Sequence, residues 1–504
     1  MSKTRAALEL AFDAPETGAK LRQWLYEQIR AAILDGRLRR GSKLPPTRDL
    51  AEHYSLSRGT AVAAFDQLKS EGYLEGRMGA GTYVNTRLPE DFSTAERRGT
   101  VVQTPRLKEA ILSRFGSRLA PAPNMPVSAP RPFRPEPAIE EFPLALWAQI
   151  AGRCLRRATR SLLSDSDSRG YRPLREAIAD YLGAARGVRC TADQVIVVSG
   201  IQHGLDLAAR LVLDPGDPVC LEDPCHPMIA AMFTGLGAHL VPTPVDDQGL
   251  DAEMAERQCR RPKMIYVTPA HQFPLGATMP IARRLSLIDW AARSDAWIFE
   301  DDYDSEYRFA GRPIPALQGL DHSDSVILSG SFSKVLLPVL RLGYLVVPVH
   351  LVDKFAAARF YTDRHSSTLD QAVMCDFLAQ GHFGRHIRRM RELYATRLAA
   401  LREAVHKKLA GLLDIPDVEA GIHVTALLAR GLKADVVAAA SAAVNVEAIP
   451  ISRFVLATAR PEALLLGFAP YDARQIRDGI DRMAAVIDRR VRSARPRRRR
   501  RRDA

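Results

Sequence analysis

The sequence predicts an α/β fold in two folded parts, and three observations carry that prediction. Residues 20–86 show helical apolar spacing followed by a strand, glycines and a second strand. Residues 87–130 are rich in Pro, Ser, Thr and Arg and close on Leu119-Ala-Pro-Ala-Pro-Asn-Met-Pro-Val-Ser-Ala-Pro130, a linker composition. From Phe133 onward short apolar runs alternate with helical stretches, the pattern of a parallel-rich sheet with helices on both faces. The expected organisation is therefore a small domain over 18–86, a linker over 87–130, a large domain over 131–488 and a tail over 489–504.

The small domain begins with Leu21, Leu25, Ile29 and Ile33, with Ala32 beside them, on one face of a helix that Asp35-Gly36 ends. Leu44-Pro45-Pro46-Thr47 breaks the chain before a second helix, Arg48 to His53. Ser55-Leu56 allows only a tight turn, and Ser57 is a good N-cap for a third helix that buries Ala61, Phe65 and Leu68. Two helices joined this way make a helix-turn-helix, and the strand–glycine–strand run from Tyr73 to Val84 adds a wing. The first residues of such a third helix face the major groove, which nominates Ser57, Arg58 and Thr60. Arg58 suits a guanine edge or a phosphate. Arg48 is placed for the DNA backbone, and Arg77 with the Gly79–Gly81 tip for the minor groove. The competing reading of this domain is a protein-contact module.

In the large domain, apolar runs mark strands at Val195–Val198, Val219–Glu222, Met264–Val267, Trp297–Glu300 and Val326–Ser329. Polar residues gather just after them: Ser199-Gly200, Asp223, His271-Gln272, Asp301 to Tyr303, and Ser331 to Lys334. Such sheets bind ligands at the carboxyl ends of their strands. These residues supply what pyridoxal 5′-phosphate (PLP) needs. Lys334 is the candidate for the covalent link and Asp301 the partner of the pyridine nitrogen. Tyr303 lies two residues on, on the same face if the chain stays extended, and suits the ring hydroxyl O3′. Arg341 and Ser331 suit the phosphate. Gly200 permits close backbone approach, and Gln202 stands in the helix that follows. Alone, each of these is more often a surface charge or a helix cap; their number and order carry the argument.

Composition narrows the function classes. The chain has 504 residues, 46% hydrophobic and 26% charged, a globular balance over more than one domain. No apolar run reaches the roughly 18 residues of a membrane span, and the first twenty residues lack a secretory signal, so a cytoplasmic protein is expected. Cys154, Cys190, Cys220, Cys225, Cys259 and Cys375 form no C-x-x-C pair and no Cys/His zinc spacing, which reads as reduced thiols and no metal. Net charge is +13, but ten Arg and one Asp between Arg489 and Ala504 contribute most of it. That run is expected to be disordered, whether it grips phosphates or is merely solvated.

Four segments of the small domain together resemble the GntR-type winged helix. They are Gly41-Ser-Lys-Leu-Pro-Pro-Thr-Arg-Asp-Leu-Ala51, Leu56-Ser-Arg-Gly-Thr60, Leu68-Lys-Ser-Glu-Gly-Tyr-Leu74 and Gly79-Ala-Gly-Thr-Tyr-Val84. In the large domain, Val267-Thr-Pro-Ala-His-Gln-Phe-Pro-Leu-Gly-Ala-Thr-Met-Pro280, Phe299-Glu-Asp-Asp-Tyr-Asp-Ser-Glu-Tyr-Arg308 and Gly330-Ser-Phe-Ser-Lys-Val-Leu-Leu-Pro-Val-Leu-Arg-Leu-Gly-Tyr344 resemble MocR/GabR regulators. This resemblance implies a PLP-binding domain of the fold-type I, class I/II aminotransferase kind with a small C-terminal α/β subdomain. It implies Lys334 as the PLP lysine, with Asp301, Tyr303 and Arg341 on the pyridine nitrogen, O3′ and phosphate. It also implies a homodimer, and a transcriptional regulator whose hold on double-stranded operator DNA responds to PLP or its adduct with an amino acid or amine. Two alternatives stand beside it: a working aminotransferase with a DNA-binding appendage, or a fold kept only for dimerisation.

The chain departs from the family pattern in places. Asp223-Pro-Cys-His-Pro227 puts His226 where a Tyr usually stacks on the PLP ring, with a weaker and titratable ring. Pro274-Leu-Gly276 replaces the usual Pro-Thr-Gly or Pro-Ser-Gly. No Arg lies within Leu464–Phe468 to clamp a substrate carboxylate, leaving Arg453 as the nearest cation. Phe133-Arg-Pro-Glu-Pro137 lacks the glycine often found there.

Overall fold

The computed structural model describes residues 12, 20–77, 79–89, 91, 112–119, 131–164, 166–311 and 314–494, with side chains as far as 488. The chain divides into two compact units, Met1–Ile111 and Leu112–Ala504.

In the first unit, helices α1 (Leu21–Leu34), α2 (Thr47–His53) and α3 (Arg58–Ser70) precede strands β1 (Leu74–Arg77) and β2 (Gly81–Val84). The two strands pair antiparallel, with Leu74 opposite Val84 and Arg77 opposite Gly81. Leu25, Ile29, Ile33, Leu50, Ala61, Phe65 and Leu68 share one core, as their spacing requires. Leu21, placed on that face by its spacing, is 40% exposed, because packing begins one turn later at Leu25. The unit overruns the predicted limits of 18–86 at both ends. The Phe12 ring stacks on Tyr54 with centroids 5.3 Å apart. Leu88 is buried, and Asp91 accepts two hydrogen bonds from Arg40 at 2.6 and 2.8 Å. Contacts between distant residues, not local periodicity, attach these flanks.

The second unit is built on an eight-stranded sheet. Its strands are β3 (Val195–Val198), β4 (Pro218–Asp223), β5 (His239–Asp246), β6 (Gly249–Leu250), β7 (Met264–Val267), β8 (Trp297–Asp302), β9 (Val326–Ser331) and β10 (Gly343–Val346), in spatial order β3-β10-β9-β8-β7-β4-β5-β6. The run from β9 to β5 is parallel. β10 lies antiparallel between β3 and β9 and was not foreseen. Gly343 makes that insertion fit: a Cβ there would lie 2.7 Å from the Gly330 carbonyl oxygen and 3.0 Å from the Cα of Gly200. Alternate residues of the strands enter opposite cores. Val195, Val197, Leu328 and Tyr344 pack with helix α4 (Arg172–Arg186); Ile196, Val198, Leu221 and Leu345 pack with α5 (Ile201–Val212) and α6 (Pro227–Leu236). Helices α7 (Val352–Asp363) and α8 (Thr368–Ala379) follow, and α9 (His382–Lys408) leads into the small subdomain. There β11 (Leu413–Asp414), β12 (His423–Leu428), β13 (Ile449–Pro450) and β14 (Ala463–Gly467) form an antiparallel sheet, with helices α10 (Ala434–Ala443) and α11 (Ala473–Ala494).

Two predicted boundaries need correction. Within the predicted linker a short helix runs over Arg114–Arg118, where Ser113 caps it by accepting from the Gly116 N–H at 3.1 Å. Phe115 packs on Gly235 of α6 and beneath the Arg210 guanidinium at 5.1 Å, so this end of the predicted linker belongs to the second unit. Helix α11 runs on to Ala494, past the predicted domain end at 488; the remainder of the arginine-rich tail, 495–504, lies outside the described residues. Among the described residues no helix is long and apolar enough to cross a membrane.

Candidate functional site

The carboxyl ends of β4, β7, β8 and β9 open on a cleft. Lys334 follows β9 and lines it. Its side chain is solvent-accessible, with protein atoms crowded around the amine. Burial lowers its pKa against the opposing pull of Asp304, Glu136 and Asp301. A lysine whose charged form is disfavoured is a readier nucleophile.

Asp301 and Asp302 end β8 and point to opposite faces. Asp302 pairs with Arg186 at 3.0 Å. Asp301 Oδ2 accepts from the Tyr266 hydroxyl at 2.5 Å, while Oδ1 is buried with no partner among the described residues. Burial lifts the Asp301 pKa to about 7. A cationic N–H from a ligand would satisfy that oxygen and hold the carboxylate ionised. The extended geometry expected for Tyr303 does not hold, since β8 stops at Asp302 and the chain bends. The Tyr303 hydroxyl instead donates to the His271 carbonyl at 2.9 Å and lies 3.0 Å from His271 Nδ1.

Gly200 opens α5 at φ +93°, and a Cβ there would lie 3.6 Å from both terminal nitrogens of Arg341. Arg341 is exposed and makes no hydrogen bond to protein among the described residues. Ser331 ends β9, and its hydroxyl accepts from the Ser333 N–H at 3.1 Å. Free amides at a helix start, an open guanidinium and a hydroxyl suit a phosphate monoester. Gln202 is exposed in the first turn of α5, and its side chain makes no hydrogen bond among the described residues. His226 caps α6, its Nδ1 accepting from the Met228 N–H at 3.3 Å, and its ring stands 5.4 Å from Phe273. Burial, then the Lys334 charge, lowers its pKa to about 4, so the ring is neutral near pH 7 and can stack. The unpartnered Asp301 oxygen, the accessible Lys334 amine and the Gly200–Arg341 cradle together fit PLP.

Two further residues near these groups take roles that the sequence did not assign. Asp223 accepts the N–H groups of Leu456, Ala457 and Thr458 at 2.8, 2.9 and 2.7 Å, which ties that loop to β4. His423 is buried with Nε2 unpartnered among the described residues, its ring 5.1 Å from that of His271. Asp223 was marked by its strand end, but its partners, like His423, lie in distant segments that no local spacing connects. Arg453 is exposed on the turn Ile451–Phe454, whose Phe454 carbonyl accepts the Cys225 N–H at 3.0 Å. β14 is buried throughout and offers no cation to the cleft. Phe133 is buried at φ +72°, the left-handed conformation a glycine takes readily.

In the first unit, Ser57 caps α3, accepting from the Thr60 N–H at 3.0 Å with its hydroxyl 2.7 Å from that of Thr60. These two expected DNA contacts are thus occupied as a cap, while Arg58 and Arg48 are exposed. Arg77 is engaged within the wing by Glu75 at 2.6 Å and by the Tyr83 ring at 4.6 Å. Lys43 was missed as a wing cation; it pairs with Tyr83 of β2, and a Cβ at Gly81 would meet its Cε at 2.8 Å.

Comparison with known proteins agrees with both units. Residues 138–482 match the family "Aminotransferase class I and II", and residues 21–84 match "Bacterial regulatory proteins, gntR family". The chain is 40% identical to the probable rhizopine catabolism regulatory protein MocR of Rhizobium meliloti, over 92% of this chain and 93% of that protein. It is 30% identical to the pyridoxine biosynthesis transcriptional regulator PdxR of Corynebacterium glutamicum, over 90% and 93%. The Pyrococcus horikoshii kynurenine aminotransferase, solved with pyridoxamine phosphate (PMP), superposes with a TM-score of 0.66 at 27% identity, over 71% of this chain and 90% of that one.

Proposed function

This chain belongs to the MocR-type family of PLP-dependent transcriptional regulators, and from that premise we propose that the contents of the Lys334 cleft set its grip on DNA. The observation that carries this reading is the unpartnered Asp301 Oδ1, whose charge is felt by Lys334, with Arg341 open across Gly200. Lys334 would hold the cofactor, Asp301 its ring nitrogen, and Arg341, Ser331 and the start of α5 its phosphate. Tyr303 would stand by the ring hydroxyl, and His226 against the ring. When bound, PLP supplies an aldehyde and an electron-withdrawing ring for an incoming amine. The effector is an amino acid or amine, and it acts only if the two DNA-binding states hold it with different affinity. Arg58 and Arg48 of α3 and α2 would contact operator DNA, with Lys43 and the Gly79–Gly81 tip beside the groove. The working unit is a homodimer in the cytoplasm, where such DNA lies.

A second reading, a turning-over aminotransferase, draws on the same retained set of Lys334, Asp301, Tyr303 and Arg341. The buried β14, with no arginine for a carboxylate, weighs against it.

Visible absorption separates the readings. Wild type with PLP should develop a band that Lys334→Ala lacks. In the regulator, added amines or amino acids shift the band and hold it there. Affinity for the DNA upstream of this gene, followed by fluorescence anisotropy, should change with them. A band bleached by an amino acid and restored by a keto acid would replace this reading with turnover. No band at any PLP concentration would overturn both.

A further inference from the structure

Arg359 lies on α7 and takes no part in the cleft described above. It is 0% exposed, a costly place for a guanidinium. Its carboxylate partner, Asp363, stands one turn on in the same helix and is 40% exposed, so the charge is only partly neutralised. The other contacts of Arg359 are directed toward the phosphate side of the cleft. Nη2 donates to the Ser366 hydroxyl at 2.8 Å, and Nη1 lies 3.4 Å from both ring nitrogens of His203; Nε has no partner among the described residues. His203 stands in the first turn of α5, and its Nδ1 accepts the backbone N–H of Ser199 at 3.2 Å. The hydroxyls of Ser199 and Ser366 are 3.2 Å apart. Ser199, His203, Arg359 and Ser366 therefore close a ring behind the turn that carries β3 through Gly200 into α5.

That turn is the one facing Arg341. Its amides can bind a phosphate only if the backbone is held in the conformation seen at Gly200. His203 must be neutral at Nδ1 to accept from Ser199, and burial with the neighbouring Arg359 charge lowers its pKa in that direction. A buried, partly compensated cation also adds positive potential where water cannot screen it. We infer that Arg359 is a positioning residue for the phosphate cradle: through His203 and Ser366 it fixes the Ser199–Gly200 turn for a phosphate monoester. The inference rests on the reading that PLP occupies the Lys334 cleft.

The test compares PLP with pyridoxal, which has the same aldehyde ring without the phosphate. Full-length wild type, Arg359→Met and Ser366→Ala are titrated with each by absorbance, with Lys334→Ala as blank and inorganic phosphate as competitor. Arg359→Met should weaken PLP binding by about 10-fold or more and leave pyridoxal within about 2-fold of wild type, as for loss of a charge-assisted support behind a binding group. Ser366→Ala should weaken PLP by about 3-fold in the same selective way, the cost of one modest hydrogen bond. Phosphate should compete with pyridoxal in neither variant as it does in wild type. Equal weakening of PLP and pyridoxal, or no change in either, would overturn the inference and leave Arg359 a structural cation. If Arg359→Met does not fold, Ser366→Ala decides by the same comparison. A wild type that binds no PLP would overturn the reading of the Lys334 cleft itself, an outcome distinct from unchanged PLP affinity in the variants.

Discussion

Asp301 and Asp302 are identical neighbours whose surroundings differ. One ion-pairs with Arg186 at 3.0 Å; the other keeps an oxygen for a ligand and has its pKa lifted by burial to about 7. In an unfolded chain an Asp titrates near 3.9. The folded state thus holds this proton more tightly. The resulting stability is complete below about pH 4 and is lost as pH rises through about 7. Asp301→Asn removes the loss, so without cofactor the variant should gain on wild type by on the order of 2 kcal/mol between pH 5 and pH 8. Denaturant melts at the two pH values measure the gain, and an equal offset at both would contradict it. Asp301 and Lys334 were legible because they stand at or just beyond the ends of apolar runs, and Arg341 because it follows Lys334 in the same segment. Asp301 was chosen over Asp302 for the pyridine nitrogen from the residues and again from the resemblance; in the structure Asp302 is taken by Arg186 while Asp301 Oδ1 has no partner among the described residues. The extended-chain premise for Tyr303 failed because alternation was carried one residue beyond the strand.

At the scale of the element, the first unit read well because its three helices carry regular apolar spacing and clear caps. Ser57→Ala should cost about 1 kcal/mol of stability in that unit, as loss of an N-cap does. Chemical melts followed by Trp24 fluorescence would measure this, and no change would show the cap to be idle. Arg58→Ala should weaken DNA binding. If Arg58 contacts phosphate, the log–log salt slope falls by about one with affinity reduced on every sequence; if it reads a base, preference relaxes at one position. Titrations at several salt concentrations on two operator variants distinguish these. β10 escaped notice because its place between β3 and β9 depends on the mutual approach of Gly200, Gly330 and Gly343, which are far apart in sequence. The extra turns of α11 escaped because charge density suggested disorder where the helix continues.

On the scale of the whole molecule, two compact units carry two chemistries. PLP binds the second, so at about 100 times its Kd it should stabilise that unit by about 2.7 kcal/mol. Calorimetry should show the transition of the larger unit rising with PLP. Movement of the smaller transition with PLP alone, in the absence of DNA, would reveal direct coupling between cofactor and DNA-binding unit. The sequence by itself determined the two-unit plan and marked the apolar runs that become β3, β4, β7, β8 and β9, with Lys334, Asp301 and Arg341 as the candidates for PLP, because spacing, caps and strand ends are local properties of a chain. Only the tertiary structure decided which Asp oxygen lacks a partner, that His226 stays neutral, that Asp223 ties down a loop from 455–458, and that Arg359 stands behind Gly200. These depend on which distant residues share a dry environment, and the strength of a charge or hydrogen bond depends on that environment.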